Sequence, residues 1–328
     1  MPRVSHLLLT LAVMLGGVFA VSPVAEASSH HQKEEGSCPF ATGAIPSDYH
    51  KKPMPDDYSG GLKEFSVVYT DRALNHMSAP FVKVMQDLNG LLNGVYNAAA
   101  TVILPGSGTF AMEAVARQFA RNKKALVVRN GYFSYRWSDI FDQTDIPSET
   151  VVLKASLESG ATDPKRPQVK PQSVADIVAA IQRERPAVVF APHVETSAGI
   201  ILPDSYIKQM AEAAHEVGAL MVLDCIASGC VWVDMRELGV DVLISAPQKG
   251  WSASPAAGLV MLSDRAVQRL ENTQSDSFAI DLNKWHQVMK SYENGGHSYH
   301  ATMPTDALKL FRDGHLCFTL MKEMLKPQ

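Results

Sequence analysis

Ala219-Leu-Met-Val-Leu-Asp224-Cys-Ile-Ala-Ser228 runs through five apolar residues without a polar break, then meets a carboxylate and a string of small residues. A strand that is apolar at every position is covered on both faces, the pattern of a parallel sheet between helices. Helical periodicity over residues 206–217 leads into this run, and a second apolar run follows at 240–245. Further out lie short apolar runs at 100–104, 125–128, 151–153, 187–191 and 258–262, with helical spacing at 110–121 and 174–183. Strands alternating with helices at this spacing predict an α/β fold with a mostly parallel, seven-stranded sheet. Ligands of such sheets sit at the carboxyl ends of the strands, so Asp224 is placed where chemistry is expected.

The bulk numbers narrow the function. The chain has 328 residues, 46% of them hydrophobic, enough to bury a sizeable core in one large domain or one large and one small. A formal net charge of -4 argues against a nucleic-acid partner, which asks for a basic face, and against an anionic membrane surface. Cys38, Cys225, Cys230 and Cys317 match no zinc spacing and are too sparse for a disulfide framework. Cys225 and Cys230 read as small buried hydrophobes.

The start of the chain reads as a leader. Arg3 precedes an apolar run over residues 7–21, and Ala25-Glu-Ala27 offers a cleavage site. The run falls short of the about 20 residues of a membrane span, so residues 1–27 are expected to be a signal-like segment for a secretory, endomembrane or organelle route. No stable span should remain after cleavage. Residues 28–60 are polar and broken by Pro and Gly, a linker in which His30 and His31 are a solvated pair.

Three motifs fall at strand ends. Pro105-Gly-Ser-Gly-Thr109 joins a strand to a helix, and glycines before free helix N–H groups suit a phosphate. The same spacing fits a plain turn. Through Gly106, Gly108 and Ala111 it also fits a dinucleotide fingerprint, although the next strand ends in Arg129-Asn130 where that motif wants an acid. The competing class is therefore an NADP-dependent oxidoreductase. Asp224 needs a cation, a metal or several donors if it is buried, and a pyridinium nitrogen is one such partner. In Ser245-Ala-Pro-Gln-Lys249-Gly-Trp-Ser, a lysine follows a strand and opens into small residues. Partial desolvation beside a cofactor would lower its pKa and make it a nucleophile and proton carrier. Phosphate loop, acid and lysine, in this order, meet three needs of pyridoxal 5'-phosphate.

With these motifs in place, residues 64–312 resemble the class V aminotransferases, in particular the alanine–glyoxylate and serine–pyruvate branch. The resemblance implies a pyridoxal-phosphate fold type I large domain over 61–312. It implies that Ser107, Gly108, Thr109 and Gln248 hold the cofactor phosphate, and that Phe133 of Asn130-Gly-Tyr-Phe133 stacks on the ring. Thr196 of His193-Val-Glu-Thr-Ser-Ala-Gly199 would bond the phenolic oxygen, and Asp224 the ring nitrogen. Lys249 would carry the cofactor as a Schiff base. Tyr299 and Thr302 resemble residues that reach across a homodimer to the partner's phosphate. Gln248 before the lysine is closer to aminotransferases than to cysteine desulfurases. The implied reaction moves an amino group between a small amino acid, alanine or serine, and a 2-oxo acid, glyoxylate or pyruvate.

Residues 313–328 do not resemble the start of the family's smaller C-terminal domain, which carries an arginine for the substrate carboxylate. A truncated isoform that binds the cofactor with impaired catalysis is therefore the alternative. His193 reads as a structural histidine, Trp251 and Trp285 as packing residues, and His297 and His300 as loop residues, not metal ligands.

Overall fold

The computed structural model describes residues 74–158 and 168–324, with side chains through Gly314. The expected leader, linker and first residues of the large domain lie outside the described residues. Helix α1 (Ala79–Tyr96) leads into β1 (Ala100–Pro105), α2 (Gly108–Phe119), β2 (Lys124–Arg129), α3 (Tyr132–Thr144) and β3 (Glu149–Lys154). After the short pair β4 (Ser156–Leu157) and β5 (Val169–Lys170) come α4 (Val174–Glu184), β6 (Val188–Pro192), β7 (Val194–Glu195) and β8 (Ile200–Ile201). Then follow α5 (Asp204–Glu216), β9 (Leu220–Asp224), α6 (Met235–Leu238), β10 (Val242–Ser245), β11 (Ala257–Leu262), α7 (Asp264–Glu271), α8 (Leu282–Glu293) and α9 (Thr305–Met324).

All seven apolar runs become strands of one sheet, in the order β1-β11-β10-β9-β6-β2-β3. Neighbours from β10 to β3 pair in parallel, while β11 runs antiparallel to both β1 and β10. The strands β6, β9, β10 and β11 are buried at every position, which is why their sequences carry no polar alternation. Helices flank them: Trp137 and Phe141 of α3 pack on Phe190 of β6, with ring centroids 4.4 and 5.4 Å away. Such ring pairs add about 1 kcal/mol each beyond the area they bury.

The helices expected at 110–121, 174–183 and 206–217 are present as α2, α4 and α5, with shifted ends. α2 starts two residues early because Ser107 is extended, at φ -152°, and acts as its N-cap. Helix α3 lies outside the expected helices, although Trp137, Ile140 and Phe141 are buried at helical spacing. The boundary expected after residue 312 falls inside α9, which runs on to Met324. No described helix is long and apolar enough to cross a membrane. Because β1, β2, β6, β9 and β10 share one direction, the segments after them emerge at one edge of the sheet. That edge carries the site.

Candidate active site

At that edge, the segments that follow five strands close around a cavity of about 200 Å³, lined by Ser107, Gly108, Thr109, Phe133, Thr196, Asp224, Gln248 and Lys249. These come from positions as far apart as 107 and 249, so the topology brings together what the sequence separates. Tyr299 and Thr302 do not line it. Tyr299 is 63% exposed, and its hydroxyl lies 3.4 Å from Thr302 Oγ1.

The start of α2 forms one wall. Its first turn has no acidic residue, and the Ser107 hydroxyl makes no cap bond, so the N–H groups there remain open to an anion. A Cβ on Gly108 would lie 2.4 Å from Cδ1 of Ile226. Glycine is what lets this helix start and the turn after β9 approach so closely.

Asp224 closes β9 with only 7% of its surface exposed. Its Oδ1 accepts the Ile226 N–H at 2.9 Å. Burial pushes the carboxyl up to about 6; the Ile226 bond opposes this, the charge of Glu195 adds to it, and Arg136 opposes it. A carboxylate held this way favours a cationic partner, and the cavity is where one can reach it.

Lys249 lies in the loop between β10 and β11. It is exposed on this chain, and the desolvation expected of it is that beside a bound cofactor. Small residues leave room for solvent as readily as for a ligand. Among the described residues no hydrogen bond or ion pair engages its amine, and the residue lines the cavity. Beside it, Gln248 buries Oε1 without a partner among the described residues.

Two charged residues of the site were not found from sequence. Arg136 lines the cavity, and its Nη1 donates to Thr109 Oγ1 at 3.2 Å. It stands three residues after Phe133 on α3, so both project from one helix face; an assigned helix here would have disclosed it. Glu195 is fully buried behind the cavity, where it accepts from Phe133 and Ser134 of α3 and from Ser197.

His193 is buried, with Nδ1 2.7 Å from Ser228 Oγ, and burial holds it below the usual histidine range, as suits a structural residue. Trp285 is buried and donates from Nε1 to the Ala279 carbonyl at 2.8 Å; Trp251 packs on Trp232, with centroids 4.6 Å apart. His300 bonds the Phe278 carbonyl, and no cluster of ligands that could hold a metal occurs among the described residues. Cys225 is buried as expected, but Cys230 is exposed, because the chain turns outward at Ser228–Val231. The dinucleotide reading loses its basis. Arg129 lies over the Tyr135 ring at 4.6 Å and bonds Ser138, and β1 is an edge strand with an antiparallel neighbour, unlike the glycine-bearing strand of a doubly wound fold.

An alanine–glyoxylate aminotransferase of Saccharomyces cerevisiae is 27% identical over 252 residues, covering 72% of this chain and 62% of that relative. A 2-aminoethylphosphonate–pyruvate transaminase of Vibrio vulnificus is 29% identical over 216 residues, 64% of this chain and 53% of the relative. The crystal structure of an alanine–glyoxylate aminotransferase from Nostoc sp. superposes with a TM-score of 0.64 at 25% identity, over 75% of this chain and 62% of that one. The chain thus spans less than two thirds of these relatives' length. The aminotransferase class-V family model matches residues 63–313, and the chain belongs to that family.

Proposed function

We propose that the chain is a pyridoxal-phosphate-dependent transaminase acting on a small amino acid, alanine or serine, and a 2-oxo acid such as glyoxylate or pyruvate. One observation carries the reading: a single cavity offers an open helix N-terminus, a buried carboxylate and an uncommitted lysine amine. Those are the complements of a phosphate, a protonated ring nitrogen and an aldehyde. The orphaned Gln248 Oε1, and Gly108, where a Cβ would push Ile226 toward the cavity, mark the cavity as shaped for a ligand. Ser107, Gly108 and Thr109 would hold the phosphate, with Gln248 nearby. Phe133 would cover the ring, Thr196 would meet its phenolic oxygen, and Asp224 would pair with its nitrogen.

Bound pyridoxal phosphate supplies an electron sink for the bond broken at the amino acid's α-carbon. Asp224, ionised once it has a cation beside it, keeps the ring nitrogen protonated. The Nζ of Lys249 takes the proton from the substrate's α-carbon and returns it at the other end of the transfer, as base and then acid. The dimer belongs to the same proposal: Tyr299 and Thr302, exposed and outside this cavity, suit a role in a second subunit's site.

The test is an absorbance spectrum of the purified chain with pyridoxal phosphate, before and after alanine or serine. A visible band that shifts with the amino acid is expected, and Lys249→Ala should lack the band. A Lys249→Ala protein that keeps it overturns the assignment. A parent band that ignores every amino acid means binding without turnover. A nicotinamide-dependent absorbance change would favour the oxidoreductase instead.

A further inference from the structure

Glu195 has no exposed surface, and its carboxylate takes hydrogen bonds from neutral donors on two separate segments. Oε1 accepts from the Phe133 N–H at 3.1 Å, the Ser197 N–H at 3.3 Å and the Ser197 hydroxyl at 2.6 Å. Oε2 accepts from the Ser134 N–H at 2.9 Å and the Ser134 hydroxyl at 2.6 Å. The serines extend the network. Ser197 Oγ accepts from the Tyr132 N–H at 2.8 Å, and Ser134 Oγ from the N–H groups of Asn130 and Gly131 at 2.8 and 3.0 Å.

Helix α3 has no acid in its own first turn, so Glu195 brings from another element the negative charge that a helix N-terminus favours. Burial alone would raise the carboxyl, but the bonds from Ser134 and Ser197 outweigh it and hold Glu195 below the usual range, fully charged. The two segments are in direct contact. A Cβ on Gly131 would lie 2.4 Å from Ser197 Oγ and 2.8 Å from the Glu195 carboxyl carbon.

Glu195 does not line the cavity, yet what it holds does: Phe133 is one of its donors, and Thr196 lies between it and Ser197. Resting on the cofactor reading above, we propose that Glu195 is a positioning residue. It locks Phe133 and Thr196 in one relative geometry and so fixes the slot for the cofactor ring. The pairing of one carboxylate with both segments makes them a single rigid wall.

Glu195→Gln keeps the shape but turns an N–H₂ toward donors on one side. Three proteins are compared: parent, Glu195→Gln, and Val127→Ala in the buried middle of β2 as a stability control. Glu195→Gln should weaken pyridoxal phosphate binding by about tenfold and diminish the circular dichroism of its visible band. Val127→Ala should lower the melting temperature while keeping parent-like affinity and dichroism. Parent-like values in Glu195→Gln, or the same losses in Val127→Ala, overturn the proposal. Should Glu195→Gln not fold, Ser197→Ala removes one bond and should give a smaller loss in the same direction; no loss overturns the proposal equally. Amide exchange in the cofactor-free protein separates the two readings. Phe133, Ser134 and Ser197 should exchange faster in Glu195→Gln while β9 does not change, and unchanged protection overturns the clamp even if the parent takes no cofactor, a result that would sink only the transaminase reading.

Discussion

Gly250 and Gly229 pack backbone against backbone: a Cβ at Gly250 would lie 1.9 Å from the Gly229 carbonyl oxygen. The contact joins the loop that carries Lys249 to the turn that carries Ile226 and Ala227 into the cavity. No flexible side-chain end can yield here, so Gly250→Ala must displace one of the two backbones. The expected cost is about 3 kcal/mol, read as a lower urea midpoint, with loss or displacement of the visible cofactor band. A variant with the parent's midpoint and spectrum would show that the two loops are not coupled.

Asp224 makes a prediction whose sign depends on pH. Its folded pKa of about 6 lies above its ordinary 3.8, so the native state holds the proton more tightly than the unfolded chain. The stability this group contributes is full below 3.8 and is lost as pH rises through about 6. Asn never ionises. Cofactor-free Asp224→Asn should therefore melt above the parent at pH 8, by at most about 3 kcal/mol, and near it at pH 4. The same change should weaken pyridoxal phosphate binding, because the ring cation loses its partner. A variant less stable than the parent at pH 8, or one that binds cofactor equally well, contradicts this role.

The sheet was legible because strands buried on both faces leave unbroken apolar runs, and Asp224 and Lys249 stand out where those runs stop. Glu195 and Arg136 were hidden for a different reason. Glu195 matters through Phe133 and Ser134, some sixty positions away, and Arg136 through Thr109 at the start of another helix. No local pattern carries the Glu195 pairing, whereas helical spacing from Phe133 places Arg136 on the same face of α3. Cys230 misled in a simpler way: five residues from Cys225 it looks like its twin, but an outward turn separates a buried thiol from an exposed one.

Gly108 tests whether the turn after β1 is a phosphate cradle or a plain strand-to-helix connection. Alanine there would meet Cδ1 of Ile226, the far end of a flexible side chain, and Gly108 takes the first helical position with a backbone conformation that alanine also adopts. The fold should therefore survive Gly108→Ala with little change in melting temperature. Ile226 lines the cavity, so its displacement and the added methyl both intrude where the phosphate would sit. Affinity for pyridoxal phosphate should fall about tenfold, while pyridoxal, which has no phosphate to place, should bind the variant and the parent nearly alike. Equal losses for both ligands would mean that Ile226 crowds the ring, not the phosphate. No loss for either would return the glycines to the role of an ordinary turn.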